Sequence, residues 1–207
     1  TMRYIPRDKE LIFAENGYYS TASGRLEFYC ETPEHVARMF PYGQADTMTE
    51  QEKDLERLPS WEEPSEAWFG PTERKEHESL RKEYPLQAFY EHNRWRVHSQ
   101  WAWIPWLREM DPEPKVKISP EDAAKYGGIK DGDYVKISNK RGHAVMRAYI
   151  SNTLPPGMLN IDRGWHRSQY VTQFGDPGSS QELTNPARHG HNMGQSYFDA
   201  IVKIEKL

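Results

Sequence analysis

Residues 114–151, PKVKISPEDAAKYGGIKDGDYVKISNKRGHAVMRAYIS, decide the fold class of this 207-residue chain. Apolar and polar residues alternate over 116–118, 134–138 and 143–150, and a period of two predicts a β-strand at each place. The NKRG sequence between the last two strands predicts a tight turn, because Asn and Gly are typical turn residues. The stretch therefore predicts three short strands, two of which form a hairpin.

A short helix is predicted inside the same stretch, over residues 121–126. Ser119 is a typical N-cap residue, and Pro120 suits the first turn because it has no N–H group to leave unpaired. Gly127 and Gly128 follow, and glycine commonly ends a helix in a left-handed conformation. A strand, one short helix and a hairpin in close succession favour a β-barrel over a helical fold.

The flanking sequence continues this pattern. YPLQAFYE (84–91), NTLPPGMLNI (152–161) and SYFDAIVKIEKL (196–207) each contain a short alternating run, with proline or glycine near the start of the first two. Residues 164–195 are rich in Gly, Ser and Asn and predict a long loop region. We therefore expect a mainly β domain, a barrel with short helices, over 84–207.

The first 83 residues have a different character. Two short strands are predicted within 11–30, joined by the turn sequence STASG, and a helix within 32–40. Residues 50–83 contain 11 acidic and 6 basic side chains, and several prolines interrupt them. We expect residues 1–83 to form an irregular, partly helical extension and linker, with one or two short helices in its acidic part.

Composition excludes several functional classes. Hydrophobic residues make up 36% and charged residues 28% of the chain, and the net charge of −4 argues against nucleic-acid binding. The apolar runs are too short to cross a bilayer, so no direct membrane insertion is expected. Cys30 is the single cysteine, which excludes an internal disulfide and a cysteine-based metal site. The opening TMRYIPRDKELIF is typical of a piece of a longer polypeptide.

Residues 93–109, NRWRVHSQWAWIPWLRE, contain four tryptophans and three arginines around a His-Ser-Gln triplet. Aromatic rings and guanidinium groups together suit a planar or anionic ligand. The alternative is a barrel core in which arginine stems cover apolar surface.

Five pieces occur in a characteristic order: YPLQAFYEHNRWRVHSQW, VKISPEDAAKYGGIKDGDYVKISNKRG, PPGMLNIDRGW, QELT and YFDAIVKIEK. Together they resemble the C-terminal dinucleotide-binding domain of the molybdopterin oxidoreductases, the dimethyl sulfoxide reductase superfamily. YSTASGRLEFYCE, upstream, is similar to the segment that precedes this domain. The resemblance covers 20–32 and nearly all of 84–207. It implies a double-psi β-barrel that binds one side of bis(molybdopterin guanine dinucleotide).

The resemblance also implies what this chain lacks. The molybdenum or tungsten ligand and any iron–sulfur ligands belong to other domains, so no catalytic residue and no metal ligand is expected here. The isolated chain should be inactive and free of the cofactor. The cofactor-binding residues that the resemblance implies are Arg96, His98, Ser99, Gln100, Trp101, Gly164, Trp165, His166, Gln181, Thr184, Tyr197 and Asp199.

Their expected roles differ. Ser99 would donate to a phosphate, and Gln100 would bind a phosphate or a pterin edge. Arg96 either contacts the cofactor or braces the loop, and Trp165 is either a wall or a contact. Gln181 stands where the family usually has Asn, and Asp199 either accepts from a guanine edge or is a solvated strand residue.

The remaining expectations concern context. Trp103 and Trp106 should be buried against domains that this chain lacks. The parent protein should be a respiratory reductase of the dimethyl sulfoxide, polysulfide or tetrathionate kind, with a formate dehydrogenase or a non-redox relative as alternatives. Its partners should be the remaining domains of the same catalytic subunit, together with an iron–sulfur electron-transfer subunit, in a periplasmic or exported location.

Two further hypotheses belong to other classes. One is a stand-alone β-barrel that binds a protein partner through its Trp-rich face and acidic excursion. The other is a small metal-dependent hydrolase built on His166, His189 and His191, although two histidines at i and i+2 without a third nearby ligand are thin evidence for a metal.

Overall fold

The computed structural model describes most of the second half of the chain and parts of the first. The described residues are 28–31, 33, 48–58, 61, 63–71, 74–170, 172–186, 188–189, 194–195 and 197–207. They fall into two compact units, Thr1–Trp61 with His189–Gly194 and Glu62–Arg188 with Gln195–Leu207. The strands predicted within 11–30 and the helix predicted within 32–40 lie almost entirely outside the described residues.

In the first unit, helix α1 spans Glu50–Arg57, as expected for the acidic segment. Thr49 caps it: its hydroxyl accepts from the N–H of Glu52 at 3.2 Å, while the Glu52 carboxylate accepts from the N–H of Thr49 at 2.7 Å. This reciprocal pair satisfies donors that a helix start otherwise leaves unpaired. Arg57 at the other end donates to the hydroxyl of Tyr29 at 3.0 Å.

From residue 75 onward the chain is mainly β. The described elements are α2 Lys75–Glu83, β1 Leu86–Glu91, α3 Pro105–Met110, β2 Lys115–Ile118, α4 Pro120–Lys125, β3 Tyr134–Ser138, β4 His143–Ile150, β5 Met158–Asp162, a 3₁₀ helix Ser180–Leu183, β6 Arg188–His189, β7 Gly194–Gln195 and β8 Ala200–Lys206. None of the helices within these described stretches is long and apolar enough to span a membrane.

Six strands close into a barrel in the order β1-β5-β2-β4-β3-β8, with β8 returning to pair with β1. The pairs β1–β5 and β2–β4 are parallel, and the other four are antiparallel. β6 and β7 form a separate two-stranded ribbon. The mainly β fold and the closed barrel that the sequence predicted are confirmed.

Side-chain alternation fills the barrel interior. In β1, Leu86, Ala88 and Tyr90 point inward, while the residues between them are partly exposed. In β3, Val135 and Ile137 are fully buried by the same period of two. The other buried members of the core are Val116, Ile118, Ala123, Ile129, Ala144, Met146, Ala148, Leu159, Ile161, Leu183, Val202 and Ile204. The barrel is therefore a packed core, and ligand sites must lie on its rim.

Candidate functional site

Two loops that the sequence analysis assigned to one site touch at their backbones. Gly164, which follows β5, has φ = 91°, and a Cβ atom there would lie 2.2 Å from the carbonyl oxygen of His98. Only a residue without a side chain allows such an approach. The turn over 97–100 therefore lies directly against the 164–166 loop.

This turn holds an unusual backbone conformation. The N–H of Gln100 donates to the carbonyl of Val97 at 2.9 Å, while His98 and Trp101 have φ angles of 52° and 67°. Left-handed backbone at a residue other than glycine costs about 1 kcal/mol or more and persists only where the surroundings fix it. The turn exposes His98, Gln100 and Trp101 and leaves Ser99 half-buried, so it offers polar groups to a ligand.

Arg163, which the sequence analysis did not single out, connects this turn to its surroundings. Its Nη2 lies 2.7 Å from Nδ1 of His98. A guanidinium group only donates, so Nδ1 of His98 accepts and the proton of the neutral ring lies on Nε2. The His98 ring stands edge-on to that of His92, with ring centroids 5.2 Å apart. We call His92, His98 and Arg163 the His–Arg row.

At one end of the row, a cleft of about 110 Å³ opens beside Arg163; we call it the Arg163 cleft. Its lining residues are Tyr90, Arg163, Gln181, Thr184, Tyr197 and Phe198. Gln181, Thr184 and Tyr197 are three residues that the resemblance assigned to the cofactor. Among the described residues, no hydrogen-bond partner meets the side-chain amide of Gln181 or the hydroxyl of Tyr197, so both are available to a ligand.

The 3₁₀ helix positions Gln181 and Thr184. The hydroxyl of Ser179 caps this helix and accepts from the N–H of Gln181 at 3.3 Å. Thr184 follows the helix, and its hydroxyl donates to the carbonyl of Gln181 at 2.7 Å. Thr184 therefore uses its proton within the loop, whereas the amide of Gln181 points its donor and acceptor outward from a fixed backbone.

At the other end of the row lies a larger cavity of about 630 Å³, which the sequence analysis did not predict. It is lined by Glu91, His92, Asn93, Arg94, Trp95, Asp111, Lys115, Lys117, Tyr149 and Asp162. β1 and β5 are parallel, so their carboxyl ends bring Glu91 and Asp162 to the same edge. His92 lines this cavity and contacts His98, so the row joins the larger cavity to the Arg163 cleft.

Arg96 braces the site instead of facing it. It is buried, with Nη2 2.8 Å from Asp111 and its guanidinium group 3.5 Å from the centre of the Trp165 ring. Trp165 is also buried and donates to Asp162 at 3.0 Å. Both side chains are therefore engaged inside the protein, an arrangement that favours a brace at Arg96 and a wall at Trp165.

Burial governs the ionisation of this cluster. It lowers the pKa of Arg96, although the carboxylates of Asp111 and Asp162 oppose the change. Burial also raises the pKa of Asp162, against the hydrogen bonds from Trp165 and Asn93. The neighbouring carboxylate of Asp111 adds to the rise in the pKa of Asp162, whereas the positive charge of Arg96 opposes it.

Asp199 lies elsewhere than expected. Its carboxylate was expected against a guanine edge or in solvent, but the side chain is buried and accepts hydrogen bonds from the backbone of 65–67 at 2.6–2.9 Å. The hydroxyl of Ser65 and the amide of Asn185 donate to it as well. Its oxygens are therefore already used, and Asp199 ties the 65–67 segment to the start of β8.

Of the three histidines considered for a metal site, only His166 has a described side chain. His166 is exposed, and its backbone N–H donates to the side-chain oxygen of Gln169 at 2.9 Å. His191 lies outside the described residues. No group of three or more His, Cys, Asp or Glu side chains in the described residues could hold a metal ion.

The fold and the rim define a class of protein: a double-psi β-barrel with a polar rim at one edge. The donors at the rim are a guanidinium group (Arg163), a hydroxyl (Ser99) and an amide (Gln181), which suit phosphate oxygens and heterocycle edges. Tyr197 and Phe198 are half-exposed and offer ring faces for stacking. Together with the close approach at Gly164, these groups fit an anionic ligand that carries flat rings.

A family comparison agrees with this class. Residues 86–200 match the model of the molydopterin dinucleotide binding domain, so the chain belongs to that family, within the dimethyl sulfoxide reductase superfamily. The resemblance inferred from the sequence is therefore confirmed.

Similar proteins place this domain in larger chains. A putative dimethyl sulfoxide reductase catalytic subunit of Halobacterium salinarum is 47% identical over 124 residues, which are 60% of this chain and 14% of that protein. A trimethylamine-N-oxide reductase of Haemophilus influenzae is 31% identical over 90% of this chain and 21% of its own length. The chain thus spans about a fifth or less of the length of these relatives.

Among solved structures, the acetylene hydratase from Pelobacter acetylenicus superposes with a TM-score of 0.67 at 17% identity, over 92% of this chain and 24% of that one. At this identity the likeness concerns the fold alone.

Proposed function

We propose that this chain is the cofactor-binding portion of the catalytic subunit of a molybdenum or tungsten reductase, and that it binds bis(molybdopterin guanine dinucleotide) along its rim. The observation that carries the proposal is the His–Arg row, because it links two cavities and so suits a long ligand with several anionic and planar parts. When bound, this cofactor supplies two-electron and oxygen-atom transfer at its metal. The chain itself binds this cofactor and orients it.

Each rim residue has a physical role in this proposal. Arg163 neutralises a phosphate, with its orientation fixed by the acceptor nitrogen of His98. Ser99 donates a hydroxyl hydrogen bond, and Gln181 pairs with the edge of a ring through its amide. Tyr197 provides a face on which that ring stacks.

The names of the relatives favour a reductase of the dimethyl sulfoxide or trimethylamine-N-oxide kind over a dehydrogenase or a hydratase. In this proposal the rest of the catalytic subunit supplies the metal ligand, and an iron–sulfur subunit delivers electrons in a periplasmic or exported complex. The complete reading frame tests this assignment, because it should encode several hundred further residues that include the metal ligand. A reading frame without those residues would make the stand-alone module the better explanation.

Binding of guanosine diphosphate, a fragment of the cofactor, tests the site. Calorimetry should detect binding to the wild-type chain, with affinity about 10- to 100-fold weaker for Arg163→Ala, since a hydrogen bond to a charged group is worth about 1.5–3 kcal/mol. Gln181→Ala should also weaken binding, by a smaller factor. Lys203→Ala, which removes an exposed charge from β8, is the control and should bind like the wild type. Equal affinities for all four proteins would refute the assignment of the Arg163 cleft.

A further inference from the structure

A cluster of large apolar side chains is exposed just after the 97–100 turn. Trp103 is 75% exposed, Trp106 60% and Met110 45%. Leu107, which lies between Trp106 and Met110 in the sequence, is buried and anchors the segment to the barrel domain. We call Trp103, Trp106 and Met110 the Trp106 face.

Trp103 lies in the turn before helix α3, and the helix places Trp106 and Met110 on one side. Pro105 begins the helix, and Trp106 and Met110 are four residues apart, so they lie next to each other on its surface. Leu107, the next residue along the helix after Trp106, is buried against the protein. The helix therefore presents an apolar stripe that no described residue covers, and its sequence is not that of a solvated helix.

The size of the face limits what covers it. With about 150–250 Å² for each fully exposed aromatic residue, its apolar area is on the order of 300–400 Å². A stable dimer needs about 800 Å² on each partner, so this face alone is too small for a second copy of the chain. It suits one part of a contact between domains of the same polypeptide.

We propose that the Trp106 face is the surface on which the remainder of the same catalytic subunit docks, and this inference rests on the proposed function. Two observations support that occupant. The relatives are about five to seven times longer than the part this chain covers, so most of the polypeptide lies elsewhere. The face also begins three residues after Gln100, which the proposed function places at the cofactor, so it adjoins the surface that the remainder of the subunit would share.

Hydroxyl-radical footprinting of the complete polypeptide and of the 207-residue chain tests the proposal. At equal radical dose, oxidation of Trp103, Trp106 and Met110 should be about tenfold slower in the complete polypeptide. Oxidation at the same rate in both proteins overturns the proposal, as does protection that arises only when another subunit is added.

A pair of variants in the complete polypeptide gives a second measurement. Trp103→Ser with Trp106→Ser should split the single unfolding transition into two, because the barrel loses its apolar contact with the remainder. Trp103→Phe with Trp106→Phe keeps apolar rings at both positions and should retain one transition. If the serine variant also unfolds in one unchanged transition, the face does not dock.

The same preparations separate this inference from the proposed function. Pterin and metal content are measured on the wild-type complete polypeptide. If the complete polypeptide contains the cofactor but both tryptophans are oxidised as fast as in the 207-residue chain, only the docking surface is contradicted. Protection of both tryptophans in a protein that never contains the cofactor contradicts the proposed function and leaves the docking surface supported.

Discussion

At the residue scale, unusual backbone conformations concentrate where the two rim loops meet. His98, Trp101 and Gly164 all have positive φ angles, and the first two are not glycine. Such conformations are unfavourable by themselves and cluster where a precise geometry matters for binding. The rim is therefore preorganised, because the unfavourable conformational free energy of the turn is already offset in the folded chain before a ligand binds.

Gly164→Ala should disturb this geometry by two separable effects. The left-handed φ disfavours alanine by about 1–2 kcal/mol, and the new Cβ would collide with the carbonyl of His98, which adds about 1–3 kcal/mol. We expect a clear loss of thermal stability and weaker binding of guanosine diphosphate. Gly157→Ala is the matched control, because Gly157 has φ = 88° but open space around its Cβ position. Equal losses in both variants would show that the contact with His98 contributes nothing.

Three positions at the rim and at the start of β8 show which contacts could be predicted from the sequence and which could not. The Gly164 loop and the His98 turn are in contact, as the family resemblance implied, although no local sequence pattern links them. Arg163 was missed, since its partner His98 is 65 residues away and no local pattern marks the pair. Asp199 was misplaced for the same reason: its donors at 65–67 come from a segment that the sequence presented only as an acidic excursion.

At the element scale, local sequence predicted the central strands and helix closely. β3 and β4 have the predicted bounds, and α4 begins at Pro120, one residue before the prediction. Ser119 caps this helix by accepting from the N–H of Asp122 at 3.0 Å. The start of the last strand was predicted less accurately. The alternating pattern extends over 196–207, but β8 begins only at Ala200, after a turn. Periodicity locates strand interiors well, but it does not reveal that Asp199, just before β8, is hydrogen-bonded to the 65–67 segment.

The tie between Asp199 and the 65–67 segment should make stability depend on pH. Burial alone would raise the pKa of Asp199, but the hydrogen bonds from Ala67 and Ser65 outweigh it and hold the pKa below the ordinary 3.8. A lowered carboxyl pKa adds stability that is complete above about pH 4 and is lost as the pH falls through the folded-state value. Asp199→Asn should thus lower the free energy of unfolding by about 2–4 kcal/mol at pH 6.

Chemical denaturation of the wild type and Asp199→Asn between pH 6 and pH 2 measures this dependence. The difference between the two proteins should shrink as the pH falls below about 4, because the wild type then also loses the charge. A difference that stays constant over the whole range would show that the carboxylate charge does not stabilise this tie.

At the scale of the whole molecule, the last strand completes the barrel. β8 pairs with β1 through Leu86, Gln87 and Ala88 and with β3 on its other side, so it joins elements that are distant in sequence. The strands were predictable from alternation, but their order was not, since the parallel pair β1–β5 depends on contacts across some 70 residues. The closed sheet was expected only because the chain resembles a family of known fold.

Deleting residues 200–207 should therefore destroy the barrel and not only shorten it. β1 and β3 would each gain an unpaired edge, and the core would lose Val202 and Ile204. Buried aliphatic side chains of this size are worth about 1.5–3 kcal/mol each, and exposed strand edges promote aggregation. Since domains are stable by only about 5–15 kcal/mol, we expect an aggregated product without a cooperative unfolding transition and without binding of guanosine diphosphate.

Deletion of Leu207 alone, which lies beyond β8, is the control and should leave cooperative unfolding and binding of guanosine diphosphate nearly unchanged. A truncated 1–199 chain that unfolds cooperatively as a monomer would contradict the role of β8.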